Sequence, residues 1–245
     1  KEKTVRELKT AAKKADEIIV LSRNVQAYFK EQYNRETTFI PNGIEKPVVR
    51  EAKEISERFG LKKDEYILFL ARLVPEKGAH YLIEAYQRLQ TDKKLVIAGG
   101  DSHAEEYMKR IYSYAEENKN IILTDFVQGR VLDELFSNAY VFVVPSDVEG
   151  MAMSLLEAMS YGNCCLVSDI PENLEVVEDN AFSFQKGDVG DLCVKLRYLL
   201  EHKDEVRKYK KMSSQFICGK YNWEEVVDET VRVYGKARRK RNGKS

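Results

Sequence analysis

The stretch Val141-Phe-Val-Val-Pro-Ser-Asp-Val-Glu-Gly-Met-Ala-Met-Ser-Leu-Leu-Glu157 decides the fold, because it passes from a strand through a turn into a helix. Its first four residues are the continuous apolar run of a buried parallel strand, which Pro145 ends. From Ser154 onwards the apolar residues recur at helical spacing. Glu149 therefore follows the carboxyl end of a strand, where open α/β sheets bind ligands. The backbone N–H groups of residues 151–155 are then at a helix N-terminus and suit a diphosphate.

The same alternation of strand and helix runs along most of the chain. Apolar runs predict six strands, at residues 66–71, 94–98, 121–123, 140–144, 164–168 and 181–184. Helical spacing predicts helices at residues 51–59, 79–89, 104–117, 131–137, 154–161, 188–201, 202–217 and 223–238. Two earlier helices, at 5–16 and 25–32, flank a short strand at 17–21. This alternation predicts an α/β fold with a Rossmann-like parallel sheet and helices on both faces.

Composition argues against several classes of function. The 245 residues are 43% hydrophobic and 33% charged, which is typical of an α/β protein with a large core. Lys plus Arg and Asp plus Glu number 40 each, so no net positive field favours nucleic acid as a partner. The basic residues of 236–244 predict a solvated end, and peripheral contact with an anionic membrane surface is the alternative.

Cysteine usage and hydropathy indicate the compartment. The cysteines are Cys164, Cys165, Cys193 and Cys218, and no two of them have the spacing of metal ligands. The sequence contains no apolar run of about eighteen residues that would predict a membrane span. We therefore predict a reduced, cytoplasmic protein, and the basic end leaves the inner face of the membrane open as its location.

Two carboxylates eight positions apart, Glu149 and Glu157, resemble the Glu-x7-Glu signature of the retaining glycosyltransferases of family 4. Those enzymes have the two-domain GT-B fold. The similarity extends from about Ala15 to Tyr234, and the order of the motifs makes it specific. The other matching motifs are Ile40-Pro-Asn-Gly-Ile44, Arg72-Leu-Val-Pro-Glu-Lys77-Gly78, Leu95-Val-Ile-Ala-Gly-Gly100, Ser168-Asp-Ile-Pro-Glu-Asn-Leu-Glu175 and Tyr221-Asn-Trp223. The motifs that begin at Leu95 and Ser168 are expected to be strand-end loops.

The resemblance assigns the chemistry to three charged residues. Departure of a nucleoside diphosphate leaves negative charge on the β-phosphate while the anomeric carbon becomes cationic. Arg72 and Lys77 match the family's diphosphate clamp, where a guanidinium forks onto phosphate oxygens and an ammonium supplies a point charge. Glu149 matches the residue beside the donor sugar, which binds its hydroxyls and stabilises the positive charge.

Five more residues match positions that contact the donor. They are Phe126 and Val127 at the base, and Met151, Ala152 and Met153 at the phosphates. The chain departs from the usual family pattern near both groups. Asp125 and Ala152 stand where glycine is common, and Met151 stands where an aromatic residue is common. A uridine nucleotide is favoured by its frequency in the family.

Glu157 has two interpretations. The resemblance makes it the acceptor of hydrogen bonds from the ribose hydroxyls. The tetrapeptide Ser154-Leu-Leu-Glu157 is also a capping box, in which the glutamate side chain caps its own helix. The two roles do not exclude each other.

Asp147 and Glu149 together match the acid-x-acid metal motif of the other large glycosyltransferase fold. The cationic loop and the helix N-terminus already supply the positive charge that a divalent ion would provide. We therefore expect no metal and no cofactor. The expected partners are a nucleoside-diphosphate sugar as donor and a glycan or glycolipid as acceptor.

The resemblance also divides the chain. Residues 1–43 match the end of the N-terminal acceptor domain and the linker, 44–222 the nucleotide-sugar-binding domain, and 223–245 the C-terminal helix and basic tail. A complete enzyme of this kind needs roughly 350–400 residues, so an earlier part of the N-terminal domain is expected to be missing. We predict that this chain alone binds the donor but transfers no sugar. A non-catalytic sugar-nucleotide-binding subunit and a related GT-B epimerase are the alternatives.

Overall fold

A computed structural model describes residues 2–100 and 104–243, with side chains from residue 6 onwards. The chain forms two compact units. The larger unit is Lys46–Gly219, and the smaller unit combines Lys1–Glu45 with Lys220–Ser245. Every residue that the sequence assigns to the donor site belongs to the larger unit.

Helices and strands alternate along the described chain. In chain order they are α1 (Glu2–Lys14), β1 (Ile19–Val20), α2 (Arg23–Tyr33), β2 (Thr38–Phe39), α3 (Glu54–Phe59), β3 (Tyr66–Leu70), α4 (Ala79–Gln87), β4 (Lys94–Ala98), α5 (Glu105–Glu117), β5 (Ile121–Asp125), α6 (Arg130–Asn138), β6 (Val141–Val144), α7 (Met153–Ser160), β7 (Cys165–Ser168), α8 (Pro171–Val177), β8 (Phe182–Phe184), α9 (Val189–Glu201), α10 (Lys203–Lys220) and α11 (Trp223–Asn242). A short 3-10 helix, Pro75–Lys77, precedes α4.

The larger unit is built on a six-stranded sheet in the order β5-β4-β3-β6-β7-β8, with every neighbouring pair parallel. Residues 66–69, 95–98 and 141–144 are all buried, because helices flank a parallel sheet on both faces. The six strands predicted from the sequence are present, and the predicted fold class is confirmed. The sheet fixes the positions from which its connecting loops emerge.

The prediction about local structure after β7 was wrong. The motif from Ser168 to Glu175 was interpreted as a strand-end loop, but Pro171–Val177 is the helix α8. Proline is suited to the first helical position, because its fixed φ matches the helix and its missing N–H would have no partner there. Pro171 therefore starts this helix instead of marking a turn.

The buried carboxylate of Glu134 on α6 caps the neighbouring helix α3. It accepts hydrogen bonds from the N–H groups of Lys53, at 2.8 Å, and Ile55, at 3.1 Å. The guanidinium of Arg130 donates to its other oxygen at 2.9 Å. Burial by itself would raise the pKa of Glu134, but these donors outweigh it and hold the pKa below its usual value.

We expect Glu134→Ala to lower the free energy of unfolding by about 3 kcal/mol, because it leaves two helix N–H groups without their acceptor and Arg130 with only Glu54, at 3.4 Å. Because the folded state lowers the pKa of Glu134, its stabilisation is present above the usual glutamate pKa and lost as the pH falls through the folded-state value. Urea unfolding of wild type, Glu134→Ala and Glu134→Gln at several pH values measures both effects. Glu57→Ala, at an exposed position of α3, is the control. Equal stability of Glu134→Ala and the control would contradict the prediction.

The smaller unit has its own apolar centre. The strands β1 and β2 pair in parallel, and Ala12, Val20 and Phe29 pack together. Asn222 caps α11 by accepting hydrogen bonds from the N–H groups of Glu224 and Glu225. No helix within the described parts of the chain is both long and apolar enough to cross a membrane.

Candidate functional site

The order of the strands reverses between β3 and β6, which lie side by side at the centre of the sheet. Ligands of doubly wound sheets bind at such a switch point, beyond the carboxyl ends of the strands. The loops that follow β3 and β6 meet there, since the N–H of Asp147 donates to the carbonyl of Glu76 at 2.9 Å. Gly78 packs directly on Pro145: a Cβ built on Gly78 would lie 2.0 Å from the Pro145 carbonyl oxygen.

Two of the predicted site residues form an ion pair across this switch point. The Nζ of Lys77 lies 2.6 Å from Oε2 of Glu149. Their side chains are only 18% and 6% exposed, so water screens the pair less than it screens a surface pair. The sequence assigned the two residues to different parts of the donor and did not predict their contact. The other oxygen of Glu149 accepts a hydrogen bond from Ser146 Oγ at 2.7 Å, and the sequence analysis gave Ser146 no role.

Arg72 and Asp147 lie on the same two loops. Arg72 follows β3 and is exposed, and its guanidinium has no hydrogen-bond or ion-pair partner among the residues that the structure describes. Asp147 accepts a hydrogen bond from Tyr81 Oη at 3.2 Å, and its carbonyl accepts one from Lys186 Nζ at 3.4 Å. Within the described ranges, no group of three or more His, Cys, Asp or Glu residues is placed to hold a metal ion.

The helix α7 begins at Met153, so its N-terminus follows the loop after β6. Its N-cap residue is Ala152, which has no side chain that could accept a hydrogen bond. Leu155 is the first residue of the helix whose N–H donates to a helical carbonyl, that of Ala152 at 3.0 Å. The N–H groups of Met153 and Ser154 therefore have no acceptor in the part of the chain described here. Ala152 has φ −74°, so the methyl group in place of glycine causes no backbone strain.

The predicted capping box at Ser154 and Glu157 is absent. Because α7 starts before Ser154, this serine lies within the first helical turn and not at the N-cap position. No other described side chain donates to the Glu157 carboxylate or forms an ion pair with it. Burial raises the pKa of this carboxyl above its usual value. Glu157 is thus a half-buried acceptor with no side-chain partner among the described residues, one turn along the helix from its N-terminus.

The segment predicted to contact the base follows β5. Asp125 adopts a left-handed backbone conformation, with φ 55°, and accepts a hydrogen bond from Tyr112 Oη at 2.8 Å. Aspartate tolerates this conformation, so the chain keeps the backbone shape that glycine would favour. Phe126 is 70% exposed beside Gly100, and Val127 is half-buried. All the predicted site residues therefore lie at one edge of the sheet, after β3, β5 and β6.

Solved structures of GT-B glycosyltransferases align with this chain. Sucrose-phosphate synthase from Thermosynechococcus elongatus aligns with a TM-score of 0.85 and 22% identity, over 100% of this chain and 63% of that chain. The Anabaena protein HepE, in complex with UDP and glucose, aligns with a TM-score of 0.87 and 16% identity, over 96% of this chain and 67% of that chain. At these identities the likeness shows the fold alone. Residues 51–216 match the family described as glycosyl transferases group 1, and the chain belongs to that family.

Curated relatives are longer than this chain. Two proteins of Methanocaldococcus jannaschii, both named as uncharacterized glycosyltransferases, are 29% identical over 180 residues and 26% identical over 231 residues. These alignments cover 71% and 92% of this chain but 46% and 61% of the relatives. The O-antigen chain mannosyltransferase B of Escherichia coli is 23% identical over 75% of this chain and 49% of its own length. The chain thus spans about half the length of the curated relatives it matches.

Proposed function

We propose that the chain is the donor-binding part of a retaining, metal-independent hexosyltransferase that takes a UDP-sugar and serves a polysaccharide or glycolipid acceptor. The observation that carries this proposal is the ion pair of Lys77 and Glu149 at the switch point of the sheet. An ammonium beside a carboxylate supports the proposal, because departure of a nucleoside diphosphate leaves negative charge on the phosphate and positive charge on the sugar. Membership of the glycosyl transferases group 1 family supports the class of reaction.

In this proposal the diphosphate lies between the loop after β3 and the N-terminus of α7. Lys77 donates one N–H to Glu149 and has two more for phosphate oxygens. The exposed guanidinium of Arg72 offers a planar fork that matches phosphate oxygens. The unbonded N–H groups of Met153 and Ser154 lie at the positive end of the helix dipole, where an anion would give them an acceptor.

Glu149 acts on the sugar. As the bond from the anomeric carbon to the β-phosphate oxygen breaks, positive charge develops on the sugar and negative charge on the departing phosphate. The carboxylate of Glu149 stabilises the positive charge on the sugar. Lys77 and Arg72 stabilise the negative charge on the phosphate. Because the Glu149 side chain is nearly buried, its charge acts across a medium of low polarity and is effective at short range.

The nucleoside lies beside the diphosphate, at the carboxyl ends of the same strands. Glu157 accepts hydrogen bonds from the ribose hydroxyls, which would satisfy a half-buried carboxylate that has no side-chain donor among the described residues. Phe126 and Val127 contact the base through their backbone. The structure of HepE with UDP and glucose, which has the same fold, supports uridine as the base and a hexose as the sugar.

The acceptor side of the proposal concerns the part of the relatives that lies outside the matched region. The relatives are longer than the matched region, which covers 46% and 61% of them in the two Methanocaldococcus proteins. We propose that binding of the acceptor and completion of the transfer need that additional length. The chain alone then binds the donor without transferring its sugar.

The test of the proposal is nucleotide binding by variants of the clamp. Arg72→Ala and Lys77→Ala should each weaken binding of UDP by roughly 1.5–3 kcal/mol, the scale of a hydrogen bond to a charged group. This is about 10- to 150-fold in affinity. Calorimetry with UDP and GDP measures it, and Lys208→Ala, at an exposed position on α10, is the control. Unchanged affinity in both clamp variants would remove these residues from the site.

Glu157→Gln should weaken UDP binding by about 5-fold without lowering the melting temperature, because no capping interaction is lost. Since burial raises the pKa of Glu157, removing its charge should slightly stabilise the unliganded protein at neutral pH. That gain should vanish at acidic pH, where wild-type Glu157 is protonated in both the folded and unfolded states. Calorimetry and thermal unfolding at two pH values measure the effects. A clear loss of stability with unchanged binding would show that Glu157 is structural.

A further inference from the structure

The motif from Ser168 to Asn173 buries two polar side chains at the end of β7, beside the candidate site. Ser168 is 0% and Asn173 1% exposed. Polar groups this deeply buried are unfavourable unless they form hydrogen bonds, and an Ala and Leu pair of similar volume would need none. Their hydrogen bonds therefore indicate what this buried pair does.

The bonds run from α8 through β7 towards β6. The amide Nδ2 of Asn173 donates to Ser168 Oγ at 3.1 Å and to the Ser168 carbonyl at 3.3 Å. The hydroxyl of Ser168 in turn donates to the carbonyl of Ser146 at 2.6 Å. The Oδ1 of Asn173 is buried without a hydrogen-bond partner among the described residues, so burying this amide costs free energy that its two donated hydrogen bonds must offset.

The last step of the path reaches the candidate catalytic carboxylate. The hydroxyl of Ser146 donates to Glu149 Oε1 at 2.7 Å, and Lys77 donates to Oε2. With one donor on each oxygen, the carboxylate cannot rotate without breaking a bond. Each oxygen keeps a further lone pair for a ligand hydroxyl.

We propose that Ser146, Ser168 and Asn173 are positioning residues, which hold Glu149 in one orientation towards the donor sugar. The proposal rests on the proposed function, in which Glu149 binds the sugar. Ser146 holds the carboxylate directly. Ser168 and Asn173 fix the peptide carbonyl of Ser146, and so the start of the loop that carries Glu149. Groups that bind a reacting ligand need such support, because a misplaced carboxylate loses most of its effect.

The experiment compares nucleotide and nucleotide-sugar binding by this chain. Calorimetry with UDP and UDP-glucose, and with GDP and GDP-mannose, gives the affinity that the sugar adds. We expect wild type to prefer the sugar nucleotide, and Ser168→Ala to reduce that preference about 5-fold while the affinity for the free nucleotide stays within about 2-fold. In a Glu149→Gln background, Ser168→Ala should not reduce the preference for the sugar nucleotide any further. The carboxylate that Ser168 is proposed to position is then already absent.

A control and a second variant keep the test decisive. Ser160→Ala removes a buried hydroxyl that also donates to a backbone carbonyl, that of Glu157 at 2.7 Å, and it should leave the sugar preference unchanged. Ser146→Ala should reduce the preference as Ser168→Ala does, and replaces it if Ser168→Ala fails to fold.

The outcomes separate this inference from the proposed function. Absence of any nucleotide binding by wild type would overturn the proposed function and this inference together. Nucleotide binding with no preference for the sugar nucleotide, or a preference that survives Ser146→Ala and Ser168→Ala but not Glu149→Gln, would overturn the positioning role alone. A loss that is additive with Glu149→Gln would show that the serine acts only on general stability.

Discussion

Gly78→Ala is expected to lower the free energy of unfolding by about 3–5 kcal/mol and to abolish UDP binding at the concentrations that saturate wild type. Gly78 has φ 71°, and an alanine in this left-handed conformation is strained. The added Cβ would also lie 2.0 Å from the carbonyl oxygen of Pro145, on backbone that cannot move aside like a flexible side chain. The loop that carries Arg72 and Lys77 would have to separate from the loop that carries Glu149.

The matched control for this prediction is Gly60→Ala. Gly60 has a similar left-handed conformation, φ 62° and ψ 36°, but a Cβ added there would meet only the Nζ of Lys94, at an ordinary contact distance of 3.6 Å. Gly60→Ala should lower the free energy of unfolding by only about 1–2 kcal/mol, from the strain of an alanine in the left-handed region, and should bind UDP normally. Urea unfolding and calorimetry on both variants measure the difference. If Gly78→Ala were no less stable than Gly60→Ala, the close contact of the two loops would not exist in solution.

Local features of the chain were predictable because short-range chemistry determines them. Apolar runs identified all six strands of the large sheet, most clearly β3, β4, β6 and β7, which are buried almost throughout because both faces of the sheet are covered there. Helix boundaries were less certain. Pro171 is compatible with both a turn and a first helical position, and α7 starts before Ser154, at an N-cap residue with no polar side chain.

The contacts within the site were not predictable from local sequence. Lys77 and Glu149 are 72 positions apart, and they meet only because β6 is placed beside β3 instead of following β5 at the edge of the sheet. The path from Asn173 to Glu149 similarly depends on β7 lying next to β6. Strand order is a property of the whole sheet, so the resemblance named the residues while the structure showed which of them touch.

The contact of Lys77 with Glu149 leads to a prediction in which binding and catalysis change in opposite directions. Glu149→Gln removes the negative charge that competes with phosphate for Lys77, and a glutamine can still accept the hydrogen bond from Ser146. We expect the affinity for UDP to rise by about 3- to 10-fold, because the unpaired ammonium attracts the diphosphate more strongly. The same change removes the charge that stabilises the cationic sugar. Turnover in the proposed transfer reaction should fall by about 100- to 1,000-fold, the scale of one lost electrostatic contact in a transition state.

Glu76→Gln is the control for the change in affinity. Glu76 is an exposed acid next to Lys77 on the loop after β3, and it forms no ion pair with Lys77 among the described residues. It should leave the affinity for UDP within about 2-fold of wild type, since water screens an exposed charge. Calorimetry gives the UDP affinities, and release of UDP from a UDP-sugar in the presence of acceptor gives turnover. If Glu76→Gln raised the affinity for UDP by the same factor, the gain in Glu149→Gln would be due to the net charge near Lys77 and not to the ion pair. Weaker UDP binding together with unchanged turnover in Glu149→Gln would remove Glu149 from the reaction and leave the ion pair as a structural feature of the two loops.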